Sequence, residues 1–175
     1  MKQRLLNQNE GWTDNLDGIK FKYLLAIMTA EERHRYYVEV INPRLDILAR
    51  LICEASRIED QVLRTSRYQD LLLFYEEQVG LGFWHPKLAE AVADFTAARD
   101  AAGALPFYRL ALEQAKLLDD EIHTILIAMA QALFDAGQTE QAETCLSDGR
   151  AEALRRGDNN CVLRADEVRR EFSGE

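Results

Sequence analysis

Cysteine, proline and glycine are scarce in this 175-residue chain. The low count of each residue type excludes or disfavours particular kinds of fold. The three cysteines, Cys53, Cys145 and Cys161, are far apart and form no CxxC pair. This spacing argues against a disulfide framework and a zinc site, and it favours a reducing compartment. Three prolines and nine glycines leave few forced turns, so we expect long helices with short connections.

Long hydrophobic runs are also absent. The longest, at residues 23–28 and 125–130, are far too short to cross a bilayer. The first ten residues have no apolar stretch of the kind found in secretory signals. We therefore expect a soluble, cytoplasmic protein.

Acidic residues outnumber basic ones by 30 to 21, for a formal net charge of −9. Residues 86–148 hold four basic against eleven acidic residues, a net charge of −7. Such a surface repels the phosphates of nucleic acids and of anionic membranes, so neither is expected as a ligand. A basic protein or peptide is the partner that this charge favours, although a solvated acidic surface that only maintains solubility is an equal alternative.

The N-terminal half shows apolar residues at helical spacing. A helix is favoured over residues 16–28, although residues 19–23 also alternate like a strand. Thr29 and Glu32 form a capping-box pattern that opens the next helix. Asn42 and Pro43 predict an interruption, with Asn42 as a cap and Pro43 at the first helical position.

One face of a long helix is then predicted from Leu45 to Val62. Thr65 and Ser66 offer another cap, and the helix that follows should end at residues 80–82, which contain two glycines. Pro86 is expected to begin the next helix.

From this point the sequence repeats at one constant offset, the step from Leu88 to Leu126. Eight positions agree in size or chemistry with their counterparts at this offset: Leu88, Val92, Phe95, Ala104, Tyr108, Ala111, Ala115 and Asp120 match Leu126, Ala130, Leu133, Ala142, Leu146, Gly149, Ala153 and Asp158. The repeat predicts two helix pairs, about 86–102 with 105–118 and 121–136 with 139–156. Gly137 is expected in a left-handed turn and Thr139 as the cap that follows.

The C-terminal stretch is predicted to form one more amphipathic helix. Its apolar positions are Cys161, Ala165, Val168 and Phe172, with charged residues opposite. Such a helix would cap a helical stack.

The second helix pair carries a recognisable pattern, formed by Leu126, Met129, Ala130, Leu133, Gly137, Ala142 and Leu146. On these residues the chain resembles the tetratricopeptide repeat family over residues 86–172. Residues 111–120 are similar to the longer-helix variety seen in bacterial regulators and peptide sensors. The first pair departs from the pattern: Arg99 replaces the turn glycine, Val92 replaces a small residue, and Gly103 suggests that the turn has moved about four residues.

The resemblance implies an all-α fold of antiparallel hairpins stacked in a short right-handed superhelix, residues 86–175, with additional helices in residues 1–85 packed onto it. It also implies a concave groove that binds a protein or peptide. The matching groove positions are Thr124, Ile127, Gln131 and Asp135 in the second unit and Ala89, Ala93 and Ala97 in the first. Ile127 and Gln131 stand where a carboxylate clamp would need lysine and asparagine. Plain packing between helices is an equally good explanation of all seven residues.

Catalytic chemistry is not favoured by the sequence, and no cofactor is expected. Glu31 with His34 and Asp120 with His123 each place a carboxylate and an imidazole three residues apart, as in di-iron bundles. A helical-bundle metal enzyme using these four residues is therefore an alternative function, although surface pairs of this kind are common. Two further alternatives are a small cytoplasmic inhibitor, such as a toxin-immunity protein, and a homodimer formed through the N-terminal helices. His85, beside Phe83 and Trp84, is expected to anchor a helix entry.

Overall fold

A computed structural model describes Leu25 and residues 27–174, and every regular element in this part of the chain is helical. The elements are α1 (Ala30–Tyr36), a π-helical turn (Tyr37–Ile41), α2 (Asn42–Arg57), α3 (Gln61–Gly80), α4 (Pro86–Ala97), α5 (Ala101–Leu118), α6 (His123–Asp135), α7 (Thr139–Arg156) and α8 (Asn159–Ser173). The all-α prediction is confirmed for these residues. None of these helices is long and apolar enough to cross a membrane. The helix predicted over residues 16–28 lies almost entirely outside the described residues.

The predicted capping box opens α1. The Thr29 hydroxyl accepts a hydrogen bond from the backbone N–H of Glu32 at 3.2 Å. In return, the Glu32 carboxylate accepts from the backbone N–H of Thr29 at 2.9 Å. Two N–H groups that a helix start leaves without partners are thereby satisfied.

The prediction for Asn42 and Pro43 is confirmed in part: an α-helix begins at Asn42 with Pro43 in its first turn, but Asn42 is not a cap and the backbone stays helical. Asn42 has helical dihedrals, and the chain passes from α1 through the π-helical turn into α2 without leaving the helical region. Pro43 lacks an N–H, and its ring collides with the carbonyl four residues earlier in a regular helix. The wider π-helical turn just before it provides the extra room. The backbone hydrogen bonds change from the α to the π pattern there, and the helical path continues.

The long helix predicted from Leu45 to Val62 is in fact two helices. α2 ends at Arg57, Glu59 has a positive φ of 57°, and the carboxylate of Asp60 caps α3 by accepting from the N–H of Leu63 at 2.8 Å. Val62 consequently faces solvent with 82% of its surface exposed. Thr65 lies inside α3 and is not a cap, because Asp60 has already taken that role.

The turn of the first helix pair is not at Gly103. α4 ends at Ala97, and the Asp100 carboxylate accepts from the N–H of Gly103 at 2.9 Å. Gly103 is therefore inside the first turn of α5. An aspartate with a free N–H three residues ahead is a strong helix start, and it overrides the glycine.

The bounds of the later helices recur at the offset of the sequence repeat. α5 and α7 begin and end with this spacing, and so do the ends of α4 and α6. Asp119 and Gly157, the residues that follow α5 and α7, both have positive φ, 53° and 75°. Gly137 takes the left-handed conformation as predicted, with φ of 76°. Thr139, however, is the first residue of α7, and no side chain caps this helix.

Three apolar clusters follow one another along the chain. The first joins Leu25, Ile41, Leu71 and Phe74 to Leu88 and Val92 of α4, the second lies among α4 to α7, and the third joins α6 and α7 to α8. The N-terminal helices therefore pack directly on α4.

Candidate protein-binding groove

An open groove of about 230 Å³ runs between α6 and α8. The α6 side is formed by Thr124, Ile127, Ala128 and Gln131, and the α8 side by Cys161, Arg164 and Val168. We call this the α6–α8 groove. Its floor is apolar, because Ile127 and Val168 have 4% and 0% of their surfaces exposed.

The third apolar cluster sets the separation of the two walls. Ala165 and Val168 of α8 pack against Ile127 and Ala130 of α6 and against Leu146 of α7. This is the amphipathic C-terminal helix predicted from the sequence. Small residues at Ala130 and Ala165, both 0% exposed, allow the helices to approach closely and leave the groove shallow.

A hydrogen-bonded pair holds the two helix starts at one end of the groove. His123 Nε2 lies 3.0 Å from Oδ2 of Asp158, and Oδ1 of Asp158 accepts from the N–H of Cys161 at 3.0 Å. Hydrogen bonds from the backbone and then the side chain of Cys161, followed by that from His123, lower the pKa of Asp158 to about 2. Asp158 therefore caps α8 and ties it to α6 while ionised.

His123, Asp158 and Cys161 also place one ligand atom each within 4.8 Å of one another. The chemistry of the group does not favour a metal, however. Each carboxylate oxygen of Asp158 already takes part in a hydrogen bond, one with His123 and one with the N–H of Cys161, so a metal would have to displace both contacts.

The four residues considered from sequence as a metal site are not brought together. The structure pairs Glu31 with Arg35 at 3.1 Å, and Asp120 accepts from the N–H of Glu121 at 2.7 Å. His34 lies against His85, with 5.6 Å between ring centroids. His123 contacts Asp158 instead. The i, i+3 spacing was misleading because Asp120 lies in the loop before α6 and not on its face.

The groove residues predicted from the second unit have varied positions. Thr124, Ile127 and Gln131 line the α6–α8 groove. Asp135 is exposed at the end of α6, where it accepts a hydrogen bond from Gln131 Nε2 at 3.1 Å. Contact of these residues with a partner stays a prediction.

The residues predicted from the first unit lie deeper. Ala89 and Ala93 are 1% and 0% exposed and belong to the cluster among α4 to α7, and Ala97 is half-buried beside it. In this structure the side chains of Ala89 and Ala93 contact neighbouring helices and not solvent. Any first-unit contribution to binding must come from residues beside them.

One side chain of α4, Lys87, contacts a residue of the groove, and two acidic side chains lie on the same helix. Lys87 Nζ contacts Glu90 at 2.9 Å and donates to the Thr124 hydroxyl at 3.3 Å. Further along α4, Asp94 accepts a hydrogen bond from the Tyr108 hydroxyl at 2.6 Å. Asp94 keeps contact with solvent, yet desolvation by the neighbouring helices still raises its pKa.

Half of the groove was not predicted from the sequence. Ala128, Arg164 and the role of Cys161 and Val168 as a wall were not foreseen. The apolar stripe of the C-terminal helix was visible, but which helix it would face was not.

Comparison of the chain with protein-family models, with curated proteins and with solved structures finds no match.

Proposed function

We propose that this chain is a helical adaptor of the tetratricopeptide-repeat kind, whose α6–α8 groove binds a basic peptide segment of a partner protein. In this proposal α4 with α5 and α6 with α7 are antiparallel pairs of a right-handed stack, and α8 closes it. The recurrence of helix bounds at the offset of the sequence repeat supports this arrangement.

Small residues at the helix crossings give further support. Gly149 of α7 is buried, and a Cβ at this position would lie 3.0 Å from Leu126 Cβ and 3.0 Å from Ile127 Cγ1 of α6. Ala142 on the same helix and Ala130 on α6 are both 0% exposed. Close helix approach through small residues is what the family resemblance implies for these positions.

The observation that carries the proposal is the groove itself, an open apolar channel in an acidic part of the chain. Arg164, the one cation among the described residues that line it, lies 3.5 Å from Glu167 and 3.9 Å from Glu171, so its charge is compensated locally. Residues 86–148, which include the α6 wall, carry a net charge of −7, and Asp135 is exposed at the end of α6. A peptide carrying lysine or arginine beside an apolar side chain would therefore find an apolar floor in acidic surroundings.

Binding, and not catalysis, suits the groups that line this groove. Its strongest nucleophile by residue type is the Cys161 thiol, and a pKa of about 11 keeps that thiol protonated at neutral pH. The neighbouring imidazole of His123 is engaged with Asp158.

Selection from a random peptide library displayed on phage tests the proposal without knowledge of the natural partner. We expect enrichment of peptides with lysine or arginine next to apolar residues, and binding that weakens as salt rises. Ala128→Arg, which places a cation and bulk inside the groove, should remove binding. Ala151→Arg makes the same change on an exposed position of α7 and should leave it intact. Selected peptides that are acidic, or that bind both variants equally, would refute the proposal.

A further inference from the structure

A second cavity, separate from the α6–α8 groove, lies between α2, α3 and the end of α4. Its volume is about 350 Å³, and three arginines line it: Arg57 at the end of α2, Arg64 on α3 and Arg99 in the turn after α4. We call it the arginine cavity. No carboxylate is among the described residues that line it.

These arginines lack the acidic partners that other arginines of the chain have. On the same helices, Arg44 pairs with Glu77 at 3.6 Å and Arg67 with Asp70 at 3.1 Å. Within the described part of the chain, none of the three cavity arginines forms an ion pair with a carboxylate. In a protein with a net charge of −9, the cavity therefore brings together three positive charges that no carboxylate of the described residues pairs with.

The hydrogen bonds of the three guanidinium groups leave donors free. Arg64 donates through Nη2 to Gln61 at 2.6 Å, but its buried Nε has no partner. Arg99 makes only long contacts of 3.4 Å to the Thr65 hydroxyl. The Arg57 guanidinium makes no hydrogen bond or ion pair with any described residue. A buried N–H without an acceptor costs free energy that a bound anion would recover.

The walls of the cavity are aromatic and apolar. Arg99 lies over the ring of Tyr68, 4.9 Å from its centroid, while the Tyr68 hydroxyl is engaged with Thr96 at 2.8 Å. The phenol therefore presents its ring and not its hydroxyl. Phe95 and Ile52 complete the apolar lining, so the cavity combines guanidinium donors with an apolar surface for a ring or chain. Its size is that of a small-ligand pocket.

We infer that the arginine cavity binds a small organic oxyanion, a phosphate or carboxylate attached to an aromatic or aliphatic group. Guanidinium groups recognise both oxyanions through paired N–H donors. This site does not depend on the groove proposed above, since α2 and α3 take no part in that groove.

Isothermal titration with three probes tests the inference on the full chain: phenyl phosphate, benzoate and inorganic phosphate. Phenyl phosphate is expected to bind, and more tightly than inorganic phosphate, because only the former fills the apolar part of the cavity. A benzoate affinity equal to or above that of phenyl phosphate would assign the natural ligand to the carboxylates, and a lower one to the phosphates. Absence of binding by both organic probes, or equal affinity for phenyl phosphate and inorganic phosphate, would overturn the inference.

Matched variants locate the binding. Arg57→Gln and Arg99→Gln should each lower the affinity for the organic probe by about tenfold or more. Arg50→Gln removes an arginine of α2 that does not line the cavity, so it should change the affinity for the organic probe by less than about twofold. Equal effects of all three substitutions would show that only net charge matters and would overturn the site. Melting curves for each variant separate lost binding from lost folding.

Protection of Cys53 gives a second readout that needs no substitution. Cys53 is exposed and lines the cavity, whereas burial raises the pKa of the other two thiols. A saturating organic probe should slow alkylation of Cys53, measured by mass spectrometry, and leave Cys145 unchanged. Titration heat without protection of Cys53 would place the probe elsewhere and overturn the inference.

Discussion

The imidazole of His123 and the carboxylate of Asp158 are joined by a hydrogen bond of 3.0 Å where α6 and α8 begin. Asp158 caps α8 with its other oxygen, so one residue fixes both the start of the C-terminal helix and its distance from α6. The end of the α6–α8 groove is therefore defined by a polar contact, and its floor by apolar packing.

This pair predicts an acid-dependent loss of stability. The pKa of Asp158 is about 2 in the folded chain, below the ordinary value of 3.8. A depressed carboxyl pKa contributes stability above the ordinary value, and that stability is lost as pH falls toward 2. Asp158→Asn should therefore melt at lower temperature than the wild type at neutral pH, and the gap should narrow as the pH approaches 2. Circular dichroism melts at several pH values measure this.

Asp148→Asn serves as the control, because Asp148 is exposed on α7 and makes no hydrogen bond with a described residue. It should follow the wild-type melting temperature throughout. A gap between Asp158→Asn and the wild type that stays constant down to pH 2 would show that the carboxylate charge is not what stabilises the fold.

His85 predicts a second pH effect, in a different range. Its ring is 1% exposed and stacks on Tyr37 with 4.1 Å between centroids. Burial, followed by the nearby His34, lowers the pKa of His85 from 6.5 to about 4. The unfolded chain therefore takes up a proton first, and stability falls as pH drops from 6.5 to about 4, by on the order of 2–3 kcal/mol.

His85→Asn should remove most of this slope, because asparagine can still cap α4 but does not titrate. His34→Asn is the comparison: it removes the smaller cause of the shift and leaves the burial of His85, so most of the slope should persist. Urea unfolding at pH 7 and at pH 4.5 gives the free energy of unfolding of each protein at the two pH values, and their difference measures the slope. If the slope survives in His85→Asn, His85 is not the group responsible.

At Arg33 we expect that lysine cannot replace arginine without loss of stability. Its side chain is 2% exposed, donates to the carbonyls of Leu25 and Trp84 at 3.2 Å each, and lies 4.2 Å from the centroid of the Trp84 ring. A lysine cannot reach both carbonyls with one nitrogen and stack as a plane. Arg33→Lys should lower the free energy of unfolding by roughly 1–3 kcal/mol.

The same substitution at Arg35 provides the comparison. Arg35 is an exposed surface residue paired with Glu31, so Arg35→Lys should change stability by less than about 0.5 kcal/mol. Equal effects of the two substitutions, measured by urea unfolding, would contradict the role given to Arg33.

At Gly149 we expect a residue of higher helix propensity to destabilise the fold. A Cβ at Gly149 would meet Leu126, Ile127 and the carbonyl oxygen of His123 at 3.0–3.3 Å. Gly149→Ala should cost roughly 1–3 kcal/mol through overpacking, despite a propensity gain of about 1 kcal/mol. Gly80→Ala has no atom within 4 Å of its new Cβ and should be neutral or stabilising. A stabilised Gly149→Ala protein would mean that α6 and α7 are not in close contact there.

Local chemistry explains which parts of the fold were predictable. The Thr29 capping box, Pro86 at a helix start and Gly137 in a left-handed turn depend on neighbours within three or four residues, and all three predictions are confirmed. Asp60 and Asp100 were missed because the apolar spacing ran on past Asp60 and because Gly103 offered a rival turn signal. The sequence pattern alone does not show which of two competing signals determines a helix start. In the structure the capping carboxylates of Asp60 and Asp100 determine it.

The sites depend on longer-range relationships. The three cavity arginines come from α2, α3 and the turn after α4, and no spacing rule brings them together. The buried His85 was identified as an anchor, but its stacking partner Tyr37 lies far earlier in the chain, in the π-helical turn before α2. The family resemblance predicted groove residues only on the first helix of each pair, α4 and α6, whereas the second wall depends on how α8 docks.

Methyl NMR of the α6–α8 groove tests the proposed function most directly. With isoleucine and valine methyl groups labelled, a basic peptide obtained by the phage selection is added to the protein at low salt. The proposal predicts shifts at Ile127 and Val168, no shifts at Ile52 in the arginine cavity, and reversal when salt is raised. Shifts confined to residues outside the groove, or no shifts at Ile127 and Val168 at saturating peptide, would contradict it.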